Sequence, residues 1–508
     1  MGKIQRQGVS TSIFLYLGLI LGMINTGLLF PVILPKEVFG FAQFLVRTSG
    51  LLSAFSLLGL PLVGIRFFPA FRDKAGKHGG FFAFLLLLGL GGTAIMALGM
   101  AVFDEQIIQL FTTDNSNNRE DIALSNRLVR EFYWGLLIWF ITNNIVVLLA
   151  NYATALQRPR VPTFFMEVVG RLITLGLLLL YFYKVIDADL FVSLYSLKPV
   201  PIILGLILFL MLIGELHLHY NRRIWKRPEM PEIFRYLGFA AFASIGTKLT
   251  VSIDTIMIAG MLGQGEVGVY APFALIATVI VISHNGVAKI ANPLISEYWE
   301  AQRLDKIQDL YRRMALNNLV PAVLVFIGIM ANLDNAILHY GPDYAAGRRV
   351  ALFLGLAQIL HVLNGYNGLI LVHSPRYRYD LYFKLLTAII TVITNLIFVR
   401  SYGVVGAAIA TAMTILLTNS VNQLFLYRSY GIHPFSRPMV LVVLLGAGTL
   451  AVVQLIPQLP THYFMDALLR SALIVLVYGV LVYQLRISND INQYLRKVYA
   501  RLVRGLRG

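Results

Sequence analysis

Apolar residues in this chain fall in long unbroken blocks, with neither the alternation of a half-buried strand nor the narrow stripe of a soluble helix. Fourteen blocks are long enough to cross hydrocarbon: 10–34, 41–65, 79–103, 132–154, 163–186, 200–218, 236–262, 269–295, 314–338, 350–372, 381–399, 403–426, 439–456 and 467–484. A membrane-spanning helix needs about 20 such residues, whereas a barrel strand needs about 10 in strict alternation. Inside a bilayer the backbone must satisfy its own hydrogen bonds, so the blocks predict helices. The expectation is an all-α polytopic membrane protein with about 14 transmembrane helices.

Charge then orients the blocks. Of the 42 basic residues, 28 fall in alternate loops and the two termini, beginning with Lys3 and Arg6 and ending with Arg504 and Arg507. Short basic loops stay in the cytoplasm. Both termini are therefore expected to be cytoplasmic. The longest outside loop, 104–131, is acid-rich (Asp104, Glu105, Asp114, Glu120, Asp121, Glu131) and too short for a soluble domain. Residues 10–34 carry no charge and span roughly 37 Å as a helix, longer than a signal-peptide core, and no convincing cleavage site follows. They read as a retained first span.

Composition agrees. The chain is 57% hydrophobic and 13% charged, against about 25% charged in soluble domains. The net charge of +17 would suggest nucleic acid in a soluble protein; here its placement assigns it to the membrane surface, and no nucleic-acid partner is expected. There are no cysteines, so disulfides and thiolate chemistry are excluded. No Walker loop or HExxH motif occurs, and neither a metal nor a cofactor is expected. The tail 486–508 places Ile487, Ile491, Leu495, Val498, Leu502 and Leu506 on one helical face among basic residues. Such a helix lies on an anionic inner leaflet, or docks a partner.

The chain also repeats itself. PKEVFGFAQFLVRTSGLL opens the second block and GQGEVGVYAPFALIATVI the eighth, with Gly40 matching Gly268 and Glu37 close to Glu266. QRPRVPTFF enters the fifth block and HSPRYRYDL the eleventh. A period of six spans keeps the two halves in one orientation, as in transporters built from parallel repeats. The expected organisation is an N-terminal lobe over 1–222, a cytoplasmic linker over 223–235, a C-terminal lobe over 236–430, two further spans over 431–485 and the tail.

Polar residues inside the spans carry the candidate chemistry. Lys248 lies roughly 18 Å into its span, where a charge costs about 2.5–3.5 kcal/mol. Ser244, Lys248, Ser252 and Thr255 form one stripe. Asp254 points elsewhere, about 240° round the helix, with Thr247 and Thr250. In the eighth block Thr278, Asn285, Lys289, Asn292 and Ser296 make a longer stripe, with His284 beside it. Arg47 sits about two turns in from the outer side, with a donor fork suited to phosphate or free to snorkel outward. Glu167 precedes Arg171 by four residues, the favourable order for a helix ion pair. Asp254 and His361 are candidates for ion coupling or for helix contacts. Gly18, Gly22 and Asn25 form a small-residue contact surface in the first block.

IDTIMIAGMLGQGEVGVYAPFALI resembles the seventh-to-eighth span junction of bacterial polysaccharide flippases; YGVVGAAIATAMT is similar to their twelfth span, and NTGLLFPVILPKEVFGFAQFL to their first hairpin. The family is the O-antigen (Wzx-type) branch of the multidrug/oligosaccharidyl-lipid/polysaccharide flippase superfamily. The resemblance implies two pseudo-symmetric six-helix lobes around a central cavity, opened alternately, with two C-terminal helices added. It implies transport of undecaprenyl-pyrophosphate-linked oligosaccharide from the inner to the outer leaflet of the bacterial inner membrane, and no enzymatic activity. Its implied partners are that substrate, anionic phospholipid at the tail and polysaccharide-assembly proteins. Arg47, Lys248, Asn285 and Lys289 are then the expected substrate-binding residues, cations for phosphate and an amide for sugar. The charge-free first segment lacks the arginines of lipid II flippases. An ion-coupled exporter of the superfamily would use Asp254; a membrane-embedded polymerase would need an acidic catalytic cluster that the outside loop does not supply.

Overall fold

The computed structural model describes residues 3–73, 77–112, 119–458, 462–488 and 490–493; most of the expected amphipathic tail lies outside them. The described residues form helices joined by short loops. Thirteen are long and apolar enough to span a membrane: α1 (Ser10–Ile33), α2 (Lys36–Leu57), α3 (Lys77–Val102), α4 (Tyr133–Ala155), α5 (Arg160–Phe182), α6 (Ala188–Leu212), α7 (Met230–Leu262), α8 (Gln264–Glu300), α9 (Leu304–Ala331), α10 (Pro342–Asn364), α11 (Arg378–Tyr430), α12 (Arg437–Gln454) and α13 (Tyr463–Gln484). The chain is a multi-pass membrane protein.

The fourteen expected crossings are contained in these thirteen helices. At 53 residues α11 would run about 80 Å, against a hydrocarbon core of about 30 Å. Gly403 breaks it, with φ 59° and ψ −141° that a residue with a side chain resists. Residues 378–402 and 404–430 are the two expected spans.

Several span boundaries differ from the expected ones, and two of the shifts have a clear local cause. The second block ends at Leu57, because Leu58 and Gly59 both take left-handed conformations before a short helix Leu60–Phe71. Gly59 also lies against the Ala240 backbone, where an added Cβ would come within 2.6 Å. The sixth span starts at Ala188 rather than 200. Asp187 caps it, its side chain accepting from the Leu190 amide at 2.8 Å. The helix breaks at Leu197–Lys198 and resumes with Pro199 at its first position, where a missing N–H costs nothing. Lys198, which the sequence places in an outside loop, therefore sits inside a span.

The chain divides into two compact units, Met1–Pro272 and Phe273–Gly508, with the division inside α8. In the first, α2 packs on α3, α4 and α7, and α6 packs on α4. Its apolar core gathers Phe67, Phe68, Phe81, Tyr152, Leu206 and Ile233. Asn144 is fully buried and ties three spans, donating to Ser56 Oγ and Thr93 Oγ1, both at 2.9 Å. In the second unit, α9 packs on α10 and α12, and α10 packs on α11. One of its cores holds Leu319, Val323, Val442, Ile474 and Tyr478, with the Tyr478 hydroxyl donating to the Val320 carbonyl at 3.1 Å.

The matched repeat glycines meet each other within the first unit. A Cβ on Gly40 would overlap the Gln264 carbonyl oxygen and lie 2.8 Å from the Gly268 nitrogen. A Cβ on Gly268 would overlap the Lys36 carbonyl oxygen. Lys36 stands four residues before Gly40, as Gln264 does before Gly268, so the contact is reciprocal. The start of α2 and the start of α8 cross backbone to backbone because each offers a glycine at the same turn. The Gln264 amide is held from the outside loop, donating to Ser125 Oγ at 2.7 Å.

Candidate functional site

Besides the Asn144 tie, charged side chains within the described spans of the first unit form two clusters. The first lies where α1 meets α5. Both helices loosen into π-helical turns there, at Met23–Leu29 and Phe164–Val169. Such turns widen a helix and re-aim its side chains, and they are frequent at functional sites. Arg171 pairs with Glu167, Nη2 to Oε2 at 2.9 Å, and both are half-buried. The pair lies over Gly18 and Gly22, where a Cβ would meet Glu167 and Arg171 respectively. Asn25, 2% exposed, donates to the Arg171 carbonyl at 2.8 Å.

Lys198 completes this cluster. Its Nζ donates to Thr174 Oγ1 at 3.3 Å and to the Tyr195 hydroxyl at 3.5 Å. It sits 4.9 Å from the Trp139 ring centre and 4.5 Å from that of Tyr195, with Arg171 in electrostatic range. Aromatic faces stabilise a cation through their quadrupole. The start of the half-helix beginning at Pro199 adds positive potential. The cluster holds two cations, Arg171 and Lys198, against one carboxylate, Glu167.

The second cluster joins α2, α7 and the start of α8. The Tyr270 hydroxyl donates to Asp254 Oδ2 at 3.0 Å, and Arg47 lies in electrostatic range of both. Because α2 begins at Lys36, Arg47 is about 16 Å into its span, deeper than two turns. Its depth sets it against snorkelling to the outer face. Asp254 is thus engaged by a neighbouring span and is not paired with Lys248 on its own helix.

Lys248 itself is exposed on α7. Its stripe divides: Ser244 is half-buried, but Ser252 and Thr255 are packed inside. In the second unit the stripe of α8 stays on one open face. Thr278, Asn285, Lys289 and Asn292 are all exposed, and Asn292 Oδ1 meets His373 Nε2 at 2.6 Å. His284 faces the other way and is buried, stacked on Tyr366 at 4.3 Å and 5.1 Å from the ring of half-buried His361. Asn318 Nδ2 donates to the Tyr366 hydroxyl at 2.7 Å, which in turn donates to the His284 carbonyl at 3.4 Å. His361 therefore belongs to a packed aromatic cluster rather than to the exposed stripe.

The structure thus brings Arg47 together with Asp254, and Glu167 with Arg171. It leaves Lys248, Asn285 and Lys289 exposed. Sequence reasoning missed Lys198, Trp139 and Tyr195; the signal was the Lys-Pro pair after eleven residues of an apolar, Asp-capped run.

The fold has counterparts among solved transporters. The fold aligns with a lipid II flippase, MurJ, in an inward closed conformation, with TM-score 0.66 and 14% identity over 94% of this chain and 100% of that one. It aligns with an inward-facing MATE family transporter of the MOP superfamily with TM-score 0.59 and 14% identity, over 87% of this chain and 99% of that one. The chain shares the fold of these two transporters. In sequence, 257 residues are 24% identical to a probable low-salt glycan biosynthesis flippase, Agl15, of Haloferax volcanii. That match spans 48% of this chain and 54% of the relative, about half the length of each. An uncharacterised membrane protein of Methanocaldococcus jannaschii, MJ1068, is 19% identical over 92% of this chain and 93% of its own. No family model matches the sequence.

Proposed function

We propose that the chain is a flippase for lipid-linked oligosaccharide, moving an undecaprenyl-pyrophosphate-type glycolipid from the cytoplasmic to the outer leaflet of the cell's cytoplasmic membrane by alternating access. The observation that carries the reading is the exposure of Lys248 and Lys289 within apolar spans, one in each compact unit. A lysine exposed well inside a span faces water or an anionic ligand, because hydrocarbon rejects it. The half-buried Arg47 adds a planar donor fork suited to a phosphate group. Asn285 and Asn292 beside Lys289 offer amide donors and acceptors to sugar hydroxyls. The match to a glycan biosynthesis flippase supports the substrate class. No step makes or breaks a covalent bond, so no catalytic group is assigned.

The test follows one lipid-linked oligosaccharide across the bilayer. In cells depleted of the protein, the glycolipid should accumulate in the inner leaflet and return to the outer leaflet on re-expression. The Lys248→Ala/Lys289→Ala variant should insert normally and restore at most about a tenth of the wild-type rate, given about 1.5–3 kcal/mol for each lost charged contact. An unchanged leaflet distribution would refute the flippase reading. Full transport by the double variant would refute the role of the two lysines alone. Asp254, accepting from Tyr270 with Arg47 in electrostatic range, favours a second reading, an ion-coupled exporter. Drug efflux that fails in Asp254→Asn, with glycolipid distribution unaltered, would establish it.

A further inference from the structure

The turn into α3 is built from four successive residues in the left-handed region: Lys77 at φ 51°, His78 at 53°, Gly79 at 60° and Gly80 at 79°. Lysine and histidine resist that conformation, so surrounding contacts must hold it. Those contacts come from the chain leaving α6. A Cβ on Gly80 would stand 2.8 Å from the Asn221 nitrogen and 2.9 Å from the His219 carbonyl oxygen. The strained turn drives His78 inward until it is 1% exposed, against the ring of Phe68 at 5.0 Å.

His78 meets two groups from the segment after α6. Its Nε2 is 2.8 Å from Glu215 Oε2, and His217 Nε2 is 3.8 Å from the same oxygen. The three donor atoms lie within 4.8 Å of one another. The Glu215 backbone is fixed by the Tyr152 hydroxyl of α4, which donates to its carbonyl at 3.0 Å. Glu215 is buried, while His217 is partly open to solvent.

We propose that His78, Glu215 and His217 bind a first-row divalent cation of the zinc class. Two imidazoles and one carboxylate form a three-ligand protein set with a fourth position left for water. Bonds of about 2.1 Å in tetrahedral geometry put neighbouring donors roughly 3.4 Å apart. The distances of 2.8 and 3.8 Å bracket that value. Binding carries a proton cost that shapes the site. The Asp73 amide donates to His78 Nδ1 at 3.1 Å, which sets the ring proton on Nε2, donating to Glu215. For Nε2 to bind the ion, its proton moves to Nδ1, which then no longer accepts from the Asp73 amide, so that hydrogen bond is given up as the ion enters. The ion staples the start of α3 to the end of α6 beside α4.

The experiment uses the full chain in detergent, carrying a tag without histidine and stripped with EDTA, and zinc alone as probe. Elemental analysis after gel filtration should show about one zinc per chain, with a rise in melting temperature. His219→Ala, an exposed neighbour, should keep both. Glu215→Gln, which still offers His78 an acceptor and so keeps the turn, should weaken zinc binding by about a hundredfold or more, as should His217→Ala. Zinc absent from the wild-type chain, or retained equally by folded Glu215→Gln, would overturn the site.

Discussion

Gly40→Ala and Gly268→Ala should each lower the melting temperature of the detergent-solubilised protein, and by similar amounts. In both variants the new methyl overlaps a main-chain carbonyl oxygen, Gln264 in one and Lys36 in the other. A flexible side chain could swing aside; a helix backbone cannot, so α2 and α8 must separate. Overpacking commonly costs about 1–3 kcal/mol, and a backbone neighbour places these two at the upper end. The two glycines share a single crossing, so once the first methyl has opened it the second costs less. The double variant should fall short of the sum by roughly 0.5–3 kcal/mol, the usual coupling of touching residues. Gly50→Ala and Gly246→Ala serve as controls, since an added Cβ meets nothing within 4 Å at either. Additive losses would mean the crossing is not shared, and unchanged melting would mean the helices already stand apart.

Arg470→Ala should destabilise the second unit by about 3–5 kcal/mol, measured by thermal or denaturant unfolding, because it strands a carboxylate in a dry setting. Asp466 is 1% exposed and Arg470 7%, and Nε meets Oδ2 at 2.6 Å. Asn335 Nδ2 also donates to Asp466 Oδ2, at 2.7 Å. The guanidinium reaches on to the Val453 and Pro457 carbonyls, at 3.4 and 2.7 Å. The arginine thus closes the end of α12 onto α13, and the carboxylate anchors α13 to the helix Leu333–Tyr340. Asp466→Ala should cost a similar amount for the converse reason, a buried guanidinium without its anion. Replacing both by apolar residues of matched size should recover part of the loss, since two charges no longer need burial. A loss below about 1 kcal/mol for either single variant would show that water reaches the pair.

Local chemistry was legible from the sequence wherever it decided the outcome. Lipid forces a long apolar block to pair its own backbone, so the spans could be read directly. The Glu167–Arg171 spacing announced a pair that the helix then forms, because four residues bring two side chains onto one face. Lys198 was misread because hydropathy marks a lysine followed by proline as an end. Only the packing of Trp139, Tyr195 and Thr174 around it makes the position tolerable inside a span. His284 reads as lying beside the polar stripe of α8; Tyr366, eighty-two residues on, packs against it as it turns inward.

The sequence by itself determined that this is a polytopic helical membrane protein, which blocks cross, and which residues break the apolar pattern. Those are properties of single segments in a bilayer, and each segment meets that environment alone. Tertiary structure decided which polar residues pack and which stay open. It set Arg47 beside Asp254, turned Ser252 and Thr255 into packing while leaving Lys248 outside, and brought His78 to Glu215 across 137 residues. Burial of a polar group depends on what arrives opposite it, and a segment read alone carries no record of its neighbour.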